Sequence, residues 1–136
     1  MTNNSVLKNK ISVVKKYLSN AKHFQKYSQK EIEGRIELKG SVERYLYLVA
    51  QSAIDLAEAV VAEKNFRKPS SMRESFYILN EEEIISSEIT EKMLDMVGFR
   101  NIMAHDYEKI DFSIVYNVLK NRLSDVEKFG RIIDKI

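Results

Sequence analysis

The sequence has no cysteine, one proline and four glycines. Without cysteine the chain can form neither a disulfide nor a thiolate metal site, and this favours a reducing compartment. Residues 1–5 lack the charged segment followed by a long apolar one that marks a signal peptide, and no apolar run approaches the length of a membrane span. We therefore expect a cytoplasmic protein.

Charge of either sign is not in large excess. The net charge of +2 arises from 22 basic and 20 acidic residues, which is far from the balance of a protein that holds nucleic acid by charge alone. Any nucleic acid is therefore expected to bind locally or transiently. A hydrophobic content of 44% in 136 residues is enough for one real core, so residues 1–136 are predicted to form a single domain.

What is abundant is apolar residues at intervals of three and four, the period of helices that bury one face. This spacing predicts long helices over residues 5–27, 41–65, 88–99 and 111–134, with Gly130 the only break in the apolar spacing of the last one, and a short helix over residues 71–82. Residues 28–40 are mostly polar and contain two glycines, so they are predicted to be a turn and a lead-in. No period-two alternation predicts a strand. We expect an all-α antiparallel four-helix up-and-down bundle with one additional short helix.

The predicted helix over residues 41–65 is apolar around most of its circumference and should be the central one. Its single polar stripe consists of Gln51, Asp55 and Glu58. Two interpretations are open: the stripe faces water, or Asp55 orients a functional arginine or histidine through a charge-assisted hydrogen bond.

The arginine and the histidine in question are Arg100 and His105, which follow the apolar stripe of the third long helix. An arginine that points inward offers a cation for a phosphate, and a histidine exchanges protons near neutral pH. Together they suggest chemistry on a phosphodiester.

Helical geometry complicates this pairing. Five steps of about 100° would place Arg100 and His105 about 140° apart on an unbroken helix. Either the helix ends near Ala104 and His105 turns back, or a second subunit completes the pair. A purely structural interpretation also stands, in which Arg100 forms a buried ion pair with Asp55 or Glu58 and His105 marks a helix C-terminus.

Residues 96–107 resemble the signature Arg-x4-His-x-Tyr, with Asn after the Arg, of HEPN-domain proteins of the HepT toxin type. The likeness also includes residues 51–57, 67–76 and 107–111, and covers at least residues 42–133. The resemblance implies a HEPN-like bundle and a ribonuclease that needs no metal or other cofactor. Such a protein is the toxin of a type II or type VII-like toxin–antitoxin pair, and a homodimer whose two motifs line a shared cleft.

The resemblance also implies residue roles. Arg100 and His105 would be catalytic, and Asn101 would position the phosphate or brace the turn. Tyr107 would receive AMP from a partner nucleotidyltransferase antitoxin of the MNT type, which puts negative charge where the RNA phosphate must sit. The alternative for Tyr107 is a purely structural role, in which the ring is partly buried and its hydroxyl bonds to the backbone.

A different class of function remains open at this point. The chain would then be a non-catalytic helical dimer that binds nucleotides or serves as the accessory subunit of a nucleotidyltransferase, using Arg100 for a phosphate and Tyr107 for stacking. Two features depart from the family pattern: residues 55–61 contain no histidine, and Asp106 adds a negative charge beside His105.

Overall fold

Helices provide all the regular structure in the computed structural model, which describes residues 1–136. The α-helices are α1 Ser5–Lys22, α2 Gln29–Glu33, α3 Ile36–Glu63, α4 Met72–Glu81, α5 Ser87–His105, α6 Phe112–Asn117 and α7 Leu123–Asp134. Two 3-10 turns cover His23–Lys26 and Tyr107–Lys109, and a π-helical turn over Val118–Arg122 joins α6 to α7. The predicted all-α class is confirmed.

Helix α3 is the centre of the bundle, as its apolar circumference predicted. It contacts α1, α2, α4, α5 and α7, and its side chains belong to one core cluster of 35 buried apolar residues. By length and composition α3 would also suffice to cross a membrane, but 56% of the relevant window is buried against the rest of the fold. The other long elements are α1, α5 and the continuous α6–α7 segment. Together with α3 they make four long helices that share one core.

Serine caps fix where α4 and α5 begin. The Ser71 hydroxyl accepts the Glu74 amide at 3.1 Å, and the Ser86 hydroxyl accepts the Ile89 amide at 3.2 Å. Each side chain satisfies an amide that the first helical turn leaves without a partner. Helix α5 then buries Met93, Met96 and Val97. This stripe turns the next position on the same face, Arg100, toward α3.

Residues 28–40 are more helical than the sequence indicated. Ser28 and Glu31 form a capping box that starts α2, and α3 begins at Ile36, five residues earlier than expected. The cost of a helical glycine, about 1 kcal/mol at Gly40, is offset because Ile32 and Leu38 are buried on either side of the connection. The prediction of a turn and lead-in was therefore wrong, and the bundle has two short helices instead of one.

The last long helix, predicted to be continuous, is interrupted by a π-helical turn. Gly130 lies within α7, and the irregularity is the π-helical turn. The Leu119 carbonyl in this turn accepts a hydrogen bond from Gln25 Nε2 at 2.8 Å. Arg122 donates through Nε to the buried Asp125 at 2.6 Å and through Nη2 to Asp95 of α5 at 3.1 Å. The hydrogen bond to Asp125 raises the pKa of Arg122. These contacts fix α5 against the last helix.

Candidate active site

Arg100 lies half-buried between α5 and α3. Its Nε donates to Gln51 Oε1 at 2.6 Å, and its Nη1 donates to Asn101 Oδ1 at 3.0 Å. Its Nη2 lies 3.5 Å from the Tyr47 hydroxyl, and its Cζ lies 5.6 Å from the centre of the Tyr47 ring. All of these partners are neutral.

No ion pair of the protein involves Arg100. The interpretation that it pairs with Asp55 or Glu58 is therefore wrong, while its inward orientation is as expected. The positive charge of this half-buried guanidinium therefore has no counter-ion within the protein. An anionic group such as a phosphate would complement it.

Asp55 reaches Arg100 only through Gln51. Gln51 Nε2 donates to Asp55 Oδ1 at 2.8 Å, and the opposite end of the same amide accepts from Arg100. A carboxylate only accepts hydrogen bonds, so Asp55 determines which end of the amide faces α5. Of the two open interpretations, neither holds fully: Asp55 forms no direct bond to the arginine or the histidine, and it is half-buried and does not simply face water.

His105 is the last residue of α5 and is exposed. The helix does not end before it, because the Asp106 amide bonds to the Ile102 carbonyl at 2.7 Å and closes a final turn beyond His105. The helix therefore does end near Ala104, as one alternative expected, but His105 is its last residue and does not lie in a turn that follows it. Arg100 leans onto α3, whereas His105 lies about 140° around the α5 cylinder, and none of the hydrogen bonds of Arg100 reaches His105.

Tyr107 begins the 3-10 turn after α5 and is 51% exposed. Its hydroxyl bonds to no protein atom, contrary to the interpretation of a ring fixed to the backbone. The neighbouring Asp106 carboxylate lies 3.8 Å from Lys109 Nζ at the exposed surface.

A groove between α3 and the end of α5 contains residues that the sequence did not single out. We call it the α3–α5 groove; it is lined by Glu43, Arg44, Tyr47, Met103, Ala104 and Tyr107. Arg44 is exposed, forms no ion pair, and its Cζ lies 5.7 Å from the centre of the Tyr47 ring. Partial burial raises the pKa of Glu43, and the nearby Lys39 charge opposes this shift.

A signal for these residues exists in the sequence. Glu43, Tyr47, Gln51 and Asp55 follow one another at intervals of four, the spacing of neighbours on one helical face. Extending the polar stripe of Gln51 and Asp55 toward the N-terminus of α3 therefore predicts that Glu43 and Tyr47 lie on the same face.

Apolar side chains are exposed on the other flank of the motif. Ile102 and Ile114 are 41% and 51% exposed and line a shallow depression with Ile110. No group of three or more histidine, aspartate and glutamate side chains is arranged to hold a metal ion.

Comparisons with known proteins agree with this geometry. The sequence model described as ribonuclease HepT-like matches residues 14–133. The mRNA nuclease HepT of Shewanella oneidensis is 29% identical over 131 residues, which cover 96% of this chain and 97% of that protein. The tRNA nuclease HepT of Aphanizomenon flos-aquae is 24% identical and is matched over 95% of this chain and 88% of its own.

The fold is similar to a solved structure of the tri-AMPylated Shewanella oneidensis HEPN toxin in complex with MNT antitoxin. The TM-score is 0.89 at 27% sequence identity, and the match covers 98% of this chain and 99% of that one. The expected HEPN-like fold is confirmed.

Proposed function

This chain belongs to the ribonuclease HepT-like family, and from that premise we propose that it is an RNA-cleaving toxin that a nucleotidyltransferase antitoxin neutralises by attaching AMP to Tyr107. Two nuclease relatives support the reaction, and the tri-AMPylated relative in complex with its antitoxin supports the mode of neutralisation. The observation that carries the proposal is Arg100, a half-buried guanidinium with only neutral partners, on the same helix as the exposed His105. Because the proposed substrate is cellular RNA, we expect the protein in the cytoplasm. The single core cluster supports one HEPN domain over residues 1–136.

The chemistry follows from the two side chains. The ribose 2′-oxygen attacks the phosphorus and the bond from phosphorus to the 5′-oxygen breaks, which leaves a cyclic phosphate and a 5′-hydroxyl. His105 removes the proton of the 2′-hydroxyl or donates one to the leaving 5′-oxygen, since imidazole exchanges protons near neutral pH. Arg100 binds the phosphate and stabilises the charge that accumulates on its oxygens. Gln51 occupies only Nε of Arg100 at short range, which leaves Nη2 for the ligand. DNA lacks the attacking hydroxyl and is not a substrate.

A second subunit completes the site. An unbroken α5 separates Arg100 and His105 by about 140°, so each cleft combines Arg100 of one subunit with His105 of the other. The exposed Ile102 and Ile114 beside the motif support an isologous interface there, because apolar side chains exposed next to each other mark protein contacts.

Mixed dimers test both the reaction and its assembly. Arg100→Ala and His105→Ala subunits carrying different affinity tags are co-expressed, and the heterodimer is purified and incubated with RNA whose new ends are sequenced. Each single-variant homodimer should be inactive. The heterodimer should regain cleavage, because one of its two clefts then contains both intact side chains.

The outcomes separate the alternatives. An inactive heterodimer beside an active wild type would mean that each site lies within one subunit. Equal toxicity and identical RNA ends for wild type and His105→Ala would overturn the nuclease and favour the non-catalytic nucleotide-binding dimer.

Neutralisation has its own test. Co-expression with a nucleotidyltransferase encoded beside this chain should add AMP to Tyr107, detectable by mass spectrometry of its peptide. Tyr107→Phe should abolish the addition, whereas Tyr77→Phe, at a tyrosine of similar exposure on α4, should not. An unmodified protein that is still neutralised would contradict this part of the proposal.

A further inference from the structure

We propose that the α3–α5 groove is a nucleobase subsite for the RNA, in which Tyr107 stacks on the base, Arg44 binds beside it and Glu43 selects guanine. This inference rests on the proposed function, because it takes RNA as the ligand. It adds a source of sequence preference that the cleavage chemistry of Arg100 and His105 does not supply.

The groove has the surfaces on which single-stranded bases stack. Tyr107 is half-exposed and its ring packs against no other aromatic ring. Across the groove, the Arg44 guanidinium lies over the Tyr47 ring, which restricts its position. Unstacked RNA bases stack on aromatic rings and on guanidinium planes, and Met103 and Ala104 add an apolar surface between them.

The groove lies directly beside the phosphate-binding arginine. Tyr47 lines the groove and also contacts Arg100, through its hydroxyl at 3.5 Å and its ring at 5.6 Å. A nucleotide whose phosphate binds Arg100 therefore has its own base, or the base next to it, at the groove. The unpaired Arg44 adds a second cation for the neighbouring phosphate.

Glu43 provides the means of selection. Its side chain forms no ion pair and no hydrogen bond in the protein. Arg44 does not neutralise it, because adjacent residues on a helix do not face each other. A carboxylate only accepts hydrogen bonds. Guanine presents two adjacent donors, N1–H and the N2 amino group, whereas the other three bases present one donor group on that edge.

Partial burial strengthens this preference. Burial raises the pKa of Glu43, which reflects a carboxylate that water solvates incompletely. Hydrogen bonds from guanine then compete with fewer water molecules and are stronger than at a fully exposed glutamate. A base whose edge directs a carbonyl oxygen at Glu43, as uracil does, is repelled.

Binding of non-cleavable RNA tests the subsite without relying on catalysis. The probes are fluorescein-labelled 2′-O-methyl hexanucleotides: hexauridylate and three variants with guanine, adenine or cytosine at one central position. The methyl group removes the attacking hydroxyl. Wild-type protein should bind the guanine probe about fivefold to a hundredfold more tightly than hexauridylate, the range that one bidentate base contact gives, as measured by fluorescence anisotropy.

Variants identify the residues. Glu43→Gln, which keeps the shape, should reduce the guanine preference to about twofold or less, and Arg44→Gln should weaken all four probes and reduce the salt dependence. Tyr107→Ala should weaken all four probes by about fivefold or more. The controls Glu37→Gln and Tyr77→Ala, at exposed positions outside the groove, should bind like wild type.

Equal affinity for the four probes, a preference for another base, or a guanine preference that survives Glu43→Gln would each overturn the inference. A separate cleavage assay distinguishes its failure from that of the proposed function. Cleavage without a base preference would reject the subsite alone, whereas a guanine preference without cleavage would reject the nuclease and keep the subsite.

Discussion

The Arg100 guanidinium has only neutral hydrogen-bond partners, so no carboxylate of the protein compensates its charge. The bond to Gln51 fixes its position, and Asp55 fixes Gln51 from behind. A carboxylate placed directly against the guanidinium would hold it as firmly but would compete with the phosphate for it. The Gln51 amide lies between the two charges, so it fixes the position of the guanidinium without neutralising it.

Removing the amide should therefore impair catalysis more than folding. Gln51→Ala leaves Arg100 Nε without its acceptor and frees the guanidinium, so kcat should fall about 10- to 100-fold with little change in the melting temperature. Asp55→Asn keeps an acceptor for Gln51, so it should lower kcat by about threefold or less. Steady-state cleavage of a fluorogenic RNA measures both. An Asp55→Asn loss as large as that of Gln51→Ala would mean that the Asp55 charge acts in some other way.

The raised pKa of Glu43 predicts a pH-dependent difference in stability. A carboxyl group with a folded-state pKa above its unfolded value favours folding most at pH values below the unfolded pKa, and this advantage is lost as the pH rises through the folded pKa. Relative to Glu43→Gln, wild type should therefore lose stability between pH 4 and pH 7. Urea midpoints at the two pH values measure it, and a constant difference would contradict the assignment to Glu43.

At the scale of helices, the regular course of α5 is the reason for proposing that a second subunit completes the site. Capping by Ser86, a buried stripe and a final turn closed at Asp106 keep α5 regular from Ser87 to His105. The π-helical turn in the facing helix accommodates this regular helix. It directs Arg122 toward Asp95 on α5 and the buried Asp125 on its own helix.

Asp125→Ala should destabilise the bundle. Asp125 is 4% exposed and accepts the Arg122 Nε bond, so its loss leaves a donor without its buried acceptor. We expect a loss of about 1–3 kcal/mol in the free energy of unfolding, because Arg122 retains Asp95 and some solvent. Chemical denaturation measures the change. Ser124→Ala, at the exposed neighbouring position, is the control, and an equal effect of both would reject a specific role for the ion pair.

For the whole molecule, the exposed isoleucines beside the motif allow the proposed dimer and its activity to be tested together. Ile102→Glu places a charge in the proposed interface, so the protein should become monomeric and lose cleavage activity together. Ile36→Glu, at a residue 82% exposed at the start of α3, should change neither. Light scattering coupled to size-exclusion chromatography, followed by the RNA assay, measures both properties. An active Ile102→Glu monomer would exclude a cleft shared between subunits.

The sequence by itself determined the features that depend on neighbours along the chain. The caps at Ser71 and Ser86 and the buried stripe Met93, Met96 and Val97 follow from contacts three or four residues apart. The motif from Arg100 to Tyr107 likewise led to the family, which the comparison confirmed. The assignment of Arg100, Asn101, His105 and Asp55 to the site, and of Tyr107 to modification, stays a prediction.

Only the tertiary structure decided how the distant parts meet. Gln51 and Tyr47 are about fifty positions from Arg100 in the sequence, and Gln25 is further still from the π-helical turn that it bonds. Helix α2 begins at the local Ser28–Glu31 capping box, but a helix of five residues is stable only because the assembled bundle buries Ile32. The free energy of each of these contacts depends on the packing of separate helices, so no local spacing in the sequence specifies them.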